Sequence, residues 1–227
     1  MEKGYKIDCL DKGHVIYVDH YGSDSRVVES ARVSYAGGSK GDEKDKKLLD
    51  YLFRKRHTSP FEQCAITFQI KLPLFIQAQM VRHRTQKLNQ QSARYTEMSN
   101  DFYIPEIWRK QNTENKQGSI EAVNLNHPFY TEEVETFCKD AFDLYENLLE
   151  AGISREMARM VLPQNLYTEI YSCWDVHNFL HFANLRRDRI HAQSEIVTYA
   201  DAMFDIFKEL FPWTAEASEK YKFVLQE

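Results

Sequence analysis

Three basic residues in a row, Arg82-His83-Arg84, follow Gln79-Met80-Val81 and precede an amide-rich run, Thr85-Gln86-Lys87-Leu88-Asn89-Gln90-Gln91-Ser92-Ala93-Arg94-Tyr95. These residue types suit an anion that also carries a polar ring. Guanidinium forks match phosphate oxygens, and side-chain amides supply the paired donor and acceptor that a pyrimidine edge needs. On a helix, Gln79 and Arg82 share one face. Arg82 and Arg84 would point roughly 200° apart and could serve two anions. The plainer alternative is that cations at a helix C-terminus complement its dipole, worth about 0.3–1 kcal/mol.

Other clusters have the same two-sided character. Arg186-Arg187-Asp188-Arg189-Ile190-His191-Ala192-Gln193 is either a solvated helix end or a second anion site. Arg159, within Met157-Ala158-Arg159-Met160-Val161-Leu162-Pro163, either snorkels or meets a buried anion. His177 and His181 have the i, i+4 spacing of metal ligands, but Asn178 stands where a zincin needs Glu. They read as a satisfied pair or as a pair lining a cofactor pocket, with no metal expected. In His57-Thr58-Ser59-Pro60-Phe61-Glu62, Ser59 is either a helix N-cap with Pro60 at the first helical position, or part of a ligand turn with free backbone N–H groups.

The elements that must position these groups follow from periodicity. Residues 5–10 and 14–20 read as strands around the turn Asp11-Lys12-Gly13. Helices are expected over 23–33 and 42–56, and alternating Ile66, Phe68 and Ile70 predict a strand over 64–72. A helix over 73–84 follows, with Pro73 in its first turn, and then a polar loop over 85–100. The stretch 106–126 is the most polar and reads as a variable surface excursion. A long helix over 130–151 stops at Gly152, and Ser154 caps a short helix before Pro163. Residues 165–174 are β-rich, Asp175 N-caps a helix over 176–187, and the apolar stripe of 192–211 ends at Pro212.

With no repeats and no linker, these elements predict one α+β domain over 1–227. There is no G-x-G-x-x-G, and the cluster Gly37-Gly38-Ser39-Lys40-Gly41 lacks phosphate-loop spacing, so a bound nucleotide's phosphates must be held by side chains. A net charge of −5 argues against a protein that coats nucleic acid. No apolar run approaches the roughly 20 residues of a membrane helix, and Met1-Glu2-Lys3-Gly4 does not read as a signal peptide. Cys9, Cys64, Cys138 and Cys173 are widely spaced and suggest separate buried thiols in a reducing cytoplasm.

Arg82-His83-Arg84, seven residues, then Ser92 resembles the RHR-x7-S signature of the flavin-dependent thymidylate synthases. Further stretches resemble family motifs in family order: His57-Thr58-Ser59-Pro60-Phe61-Glu62, Phe102-Tyr103-Ile104-Pro105, the segment around Arg159, Asn184-Leu185-Arg186, and His191-Ala192-Gln193-Ser194-Glu195-Ile196. The resemblance runs from about residue 5 to 215. It implies methylation of dUMP to dTMP, with methylenetetrahydrofolate as carbon donor and FAD recharged by NADPH as hydride source. It also implies the family's own α+β fold, an antiparallel or mixed sheet flanked by helices with no Rossmann unit, which agrees with the missing glycine fingerprint, and a homotetramer with shared active sites.

Roles are implied by position. Gln79, Arg82, Ser92 and Arg94 resemble the dUMP-binding set, and Gln90, Gln91 and Ala93 lie in the segment that passes the nucleotide. Arg159 resembles a nucleotide contact from another subunit, and Arg186 the arginine beside the pyrimidine that assists its activation. Ser59, Arg82, His83 and Arg84 resemble FAD contacts, with Gln90, His177 and His181 also at flavin positions. His57 and Tyr95 resemble residues at the folate and flavin face.

The chain departs from the pattern at Gln90, usually Glu, at Gln63, often His, and at Asp175, often Asn. An amide at 90 keeps hydrogen bonding but not acid–base chemistry. The segment after Arg186 is one residue longer than is common in the family, so Arg187 competes for the catalytic place; Arg186 completes the Asn-Leu-Arg match. No cysteine lies in a motif, and Ser92 has no adjacent base, so it reads as a binding residue. Activation of the base then falls to electrostatic stabilisation by Arg186 and Arg94. Two other functions fit single features: a nucleic-acid surface using Arg82, Arg84 and Arg94, and a metal hydrolase using His177, His181 and His191.

Overall fold

A computed structural model describes residues 1–116, 118–120 and 128–221. Its centre is a five-stranded antiparallel sheet of β1 (Lys6–Cys9), β2 (Gly13–Tyr21), β3 (Ala65–Pro73), β4 (Lys87–Gln90) and β7 (Tyr167–Asp175), in the order β1-β2-β3-β7-β4. β3 sits centrally because its alternation is strict: Ile66, Phe68, Ile70 and Leu72 are fully buried on one face. β7 repeats the pattern with Thr168, Ile170, Ser172 and Trp174 inward.

The remaining elements are α1 (Asp24–Arg32), α2 (Asp42–Arg54), α3 (Leu74–Met80), the hairpin β5 (Lys110–Gln111) and β6 (Ser119–Ile120), α4 (Pro128–Glu150), α5 (Arg155–Ala158), α6 (Val176–Arg186), α7 (Ser194–Leu210) and α8 (Pro212–Tyr221). α6 and α7 cover the apolar face of the sheet. Phe68, Phe179, Phe207 and Phe211 run through this layer with ring centroids 5.7, 4.9 and 5.1 Å apart in turn. A second apolar cluster joins Met98 and Phe102 to Cys138, Phe142 and Tyr145 of α4 and to Ala158 and Leu166.

Several local expectations hold. Asp175 caps α6, its carboxylate accepting from the Asn178 N–H at 2.9 Å. Gly152 ends α4 at φ +81°, where a side chain would be strained. Gly13, expected in the turn, is instead the first residue of β2 and lets the sheet meet α7 closely: a Cβ there would collide with the Tyr199 hydroxyl.

Other expectations are corrected. The helix expected over 73–84 stops at Met80, because the next residues turn into β4; Arg82 and Arg84 therefore lie in a turn and have no helical faces. The loop expected over 85–100 begins with β4, an edge strand whose polar side chains hide its pairing with β7. Ser59 caps no helix: the Thr58 carbonyl accepts from Phe61 N–H, and Pro60 opens a single 3-10 turn over Phe61–Gln63. Ser154 occupies the N-cap of α5 without a hydroxyl cap bond. Pro212 does end α7, and it also starts α8, whose first N–H groups at Trp213 and Thr214 donate to buried Asp24 at 2.7 and 3.1 Å. Of the excursion 106–126, residues 117 and 121–127 lie outside the described residues; the rest includes β5 and β6 and is tied inward by Arg109.

Candidate active site

Where α3 ends, the chain turns twice in six residues before entering β4. The turn is held from inside by Gln86. Its Nε2 donates to the carbonyls of Met80 and His83 at 2.7 and 3.2 Å, and its Oε1 accepts from the fully buried Ser172 hydroxyl at 2.7 Å. Gln86 does no chemistry, but the shape of the Arg82-His83-Arg84 segment depends on it. Only its amide character in a polar run hinted at this role.

The three basic residues go separate ways. Arg82 and Arg84 are exposed, and among the described residues neither side chain makes an ion pair. Other arginines are neutralised: Arg32 by Asp45, Arg109 by Glu195, Arg187 and Arg189 by Asp201. His83 instead turns inward at 9% exposure, its ring 5.1 Å from Phe182, 6.0 Å from His181 and 6.2 Å from Trp174. Its Nε2 accepts from Arg186 Nε at 3.1 Å. Burial first, then the Arg186 charge, then His181 pull His83 down to about 4. The ring is thus neutral at pH 7, with its own proton on Nδ1. Burial also lowers His181 and Arg186 from their ordinary values; the guanidinium stays charged.

Arg186 and Arg187 point in different directions. Arg187 lies with its guanidinium 3.7 Å from the Phe204 ring centroid and donates to Asp201 at 2.9 Å. Arg186, one residue earlier, faces the Arg82-His83-Arg84 turn. Gln79 donates from Nε2 to Gln193 Oε1, which ties α3 to the start of α7.

The expected nucleotide segment begins at the last residue of β4. Gln90 donates to Thr168 Oγ1 at 3.3 Å and accepts from Gln77 at 3.1 Å. Gln91 N–H extends the ladder to the Glu169 carbonyl at 2.8 Å. The Ser92 carbonyl accepts from Tyr95 and Thr96 N–H, which makes a tight turn presenting Ala93 and Arg94. Arg94 meets Glu156 at 3.3 Å, an exposed pair worth little. Arg94, Tyr95, Ser154, Arg155 and Glu156 line a cleft of about 230 Å³, and Arg159 is exposed just beyond α5.

His57 and Ser59 are exposed on the turn before β3, whose 3-10 segment packs against α6, the helix carrying His177 and His181. His191 is engaged elsewhere, its Nδ1 2.7 Å from Asp188. Among the described residues, no group of three or more His, Cys, Asp or Glu is placed to hold a metal ion. No helix among them is long and apolar enough to cross a membrane. Cys9, Cys64 and Cys138 are free and buried, and Cys173 is free and half-buried. Burial pushes the Cys9 thiol up to about 12 and Cys64 to about 11, so neither is a nucleophile at neutral pH.

Sequence reasoning missed one further group. Glu195, buried at the start of α7, accepts from Arg109 Nη2 at both carboxylate oxygens, 2.7 and 2.6 Å, and from the Tyr103 hydroxyl at 3.2 Å. The partner lies in the stretch that reads as surface, so no local pattern could pair them.

Fold and site together define a class: an α+β protein with an antiparallel sheet that presents arginines and amides, rather than a glycine-rich loop, along one sheet edge. The chain belongs to the thymidylate synthase complementing protein family, whose model matches residues 17–213. It is 43% identical over 227 residues to a flavin-dependent thymidylate synthase of Treponema denticola, covering 98% of this chain and 84% of that one. It is 45% identical over 221 residues to an enzyme of that name from Thermus thermophilus, covering 97% and 81%. A crystal structure of the UMP/dUMP methylase PolB from Streptomyces cacaoi, bound with 5-Br dUMP, superposes with a TM-score of 0.86 at 33% identity, covering 95% of this chain and 98% of that one.

Proposed function

We propose that this chain methylates C5 of dUMP to give dTMP, with methylenetetrahydrofolate as carbon donor and NADPH as the source of reducing equivalents. Family membership supports the reaction. The observation that carries the site is the bond between Arg186 and His83, which unites two motifs 103 residues apart.

The donor set fits a flavin nucleotide. Arg82 and Arg84 are exposed cations without carboxylate partners among the described residues, as a diphosphate requires. Ser59, His83, Gln90, His177 and His181 complete the FAD set in this reading. When bound, the flavin supplies the hydride that reduces the transferred carbon to a methyl group. The protein's own residues bind and polarise dUMP. Gln79 and Arg186 address the base; Arg82, Ser92, Arg94 and the backbone of Gln90, Gln91 and Ala93 address sugar and phosphate. Arg186 stabilises negative charge on the pyrimidine as C5 becomes nucleophilic. No cysteine thiolate takes part. His57 and Tyr95 border the folate.

Arg159 reaches the nucleotide of another copy in a homotetramer. Exposed Phe137 and Leu144 on α4, and Met160 beyond α5, support burial against such copies. The 1–227 chain acts as one cytoplasmic domain. Purified protein is expected to be yellow and to form dTMP from dUMP, methylenetetrahydrofolate and NADPH, with UMP as comparison substrate. A protein that takes up no FAD, or that releases no methylated nucleotide, overturns the reading.

A further inference from the structure

The glycine-rich segment between α1 and α2, whose spacing suits no phosphate loop, is wrapped around a buried ion pair. Arg32, at the end of α1, meets Asp45, in the first turn of α2, at 2.5 Å, and both side chains are buried. The loop supplies their remaining partners. Arg32 donates to the Gly38 carbonyl at 2.7 Å, and Asp45 accepts from the Ser39 hydroxyl at 2.6 Å and from Lys40 N–H at 3.1 Å. Ala36 adopts a left-handed φ of +49°, which turns the chain back so that Gly37 N–H reaches the Arg32 carbonyl at 3.3 Å. A buried ion pair adds little net stability, but here it gives the loop one shape.

That fixed loop carries side chains that the fold does not use. Tyr35 is 88% exposed and Val33 76% exposed, and the Tyr35 ring meets no other ring among the described residues. Lys40 is exposed and makes no ion pair among them. The acids around it are mostly taken, Asp45 by Arg32 and Glu43 by Lys47 at 2.6 Å, which leaves Lys40 and Lys44 against Asp42 alone. The loop also starts beside the turn assigned to flavin and folate. Ser30 Oγ lies 3.4 Å from the Pro60 carbonyl oxygen, and Val33 follows on the same helical face, about 5 Å further along.

We propose that this loop is the subsite for the p-aminobenzoyl-glutamate tail of the folate, with Tyr35 stacking on the aromatic ring and Lys40 pairing with the glutamate carboxylates. The proposal rests on the folate reading above. The pteridine end, where carbon and hydride are transferred, must lie against the flavin, so it is the tail that runs outward from the turn of His57 to Pro60. A flat ring followed by carboxylates is complementary to an exposed tyrosine followed by a lysine that lacks a carboxylate partner. Holding the loop rigid lowers the ordering cost of such contacts. Arg32 and Asp45 are positioning residues; Tyr35 and Lys40 touch the tail. A loop that only joined two helices would leave folate affinity indifferent to Tyr35 and Lys40.

Dissociation constants of tetrahydrofolate monoglutamate and triglutamate are measured by calorimetry on the FAD-loaded protein and on Tyr35→Ala, Tyr35→Phe and Lys40→Ala. The KM for dUMP and the flavin content per chain are measured beside them. All three changes fall at exposed positions and leave the Arg32–Asp45 pair intact. Tyr35→Ala is expected to weaken both folates by about three- to tenfold, and Tyr35→Phe to keep their affinity. The unaltered chain is expected to favour the triglutamate, and Lys40→Ala to remove about two- to fivefold of that preference, as raised salt does. The KM for dUMP and the flavin content are expected to stay unchanged. If Tyr35→Ala and Lys40→Ala leave both folate affinities unchanged in a protein that forms dTMP, the tail lies elsewhere, and the inference falls while the proposed function stands. If the unaltered protein forms no dTMP from methylenetetrahydrofolate, the proposed function falls and the inference with it.

Discussion

Arg186 donates from Nε to Nε2 of His83 across 3.1 Å, which joins the end of α6 to the turn between α3 and β4. The middle residue of the basic triplet is therefore an acceptor for the arginine proposed to activate the base, and only its two neighbours face solvent as cations.

This pairing separates two adjacent arginines. Arg186→Ala is expected to lower kcat for dTMP formation by about 10²–10³, as loss of one electrostatic stabiliser does elsewhere. Arg187→Ala removes contacts to Phe204 and Asp201 and is expected to cost about 1–2 kcal/mol of stability with kcat largely kept. Steady-state kinetics beside denaturant melts distinguish them; full activity in Arg186→Ala would move the role to Arg187.

Stability should carry the signature of a neutral buried histidine. An unfolded His83 takes up a proton near its ordinary 6.5, whereas burial and Arg186 delay uptake in the fold to about 4. Between these values the unfolded state binds more protons, so stability falls as pH falls through that window, by up to about 3 kcal/mol. His181, lowered by burial, adds in the same direction. His83→Asn should flatten the profile from pH 6.5 to 4 in chemical denaturation; an unchanged slope would assign the effect to other groups.

Gln86 is expected to matter without touching any ligand. Gln86→Ala leaves the buried Ser172 hydroxyl and the Met80 and His83 carbonyls without their partner. A loss of about 1–3 kcal/mol follows, together with weaker FAD retention as Arg82 and Arg84 lose their turn. Flavin content per chain after gel filtration, compared with the melting midpoint, reads both.

Gly13 is a packing requirement. Gly13→Ala drives a methyl into the Tyr199 hydroxyl and should destabilise by about 1–3 kcal/mol or more. Tyr199→Phe removes that oxygen and its bond to the Lys71 carbonyl, so the double variant should lose less than the sum of the singles. Strict additivity in a double-mutant cycle would show that the clash lies with the Cys9 and Lys71 carbonyls instead.

The long elements were legible because their burial patterns are one-dimensional. Ile66, Phe68 and Ile70 alternate, and the α7 stripe from Ile196 to Phe207 has helical spacing, so pattern alone placed them. β4 was not legible: Lys87-Leu88-Asn89-Gln90 has neither apolar alternation nor β-branched residues, and it is a strand only because the β7 edge is open to it. The helix boundary at Met80 was hidden for the same reason, since Arg82-His83-Arg84 suits a helix and yields to a turn latched by Gln86 from outside the segment.

The sequence by itself determined the ordered motifs, the inventory of arginines and amides, and the want of a glycine loop or a reactive thiol, since these are matters of residue type and spacing. Only the tertiary structure decided how they are used. Which arginine meets the basic turn, that His83 is a neutral acceptor, and that Arg109 from a polar stretch neutralises buried Glu195 all depend on contacts between residues 14 to 103 positions apart. Hydrogen-bond sense and burial are properties of such contacts, and local periodicity carries no record of them.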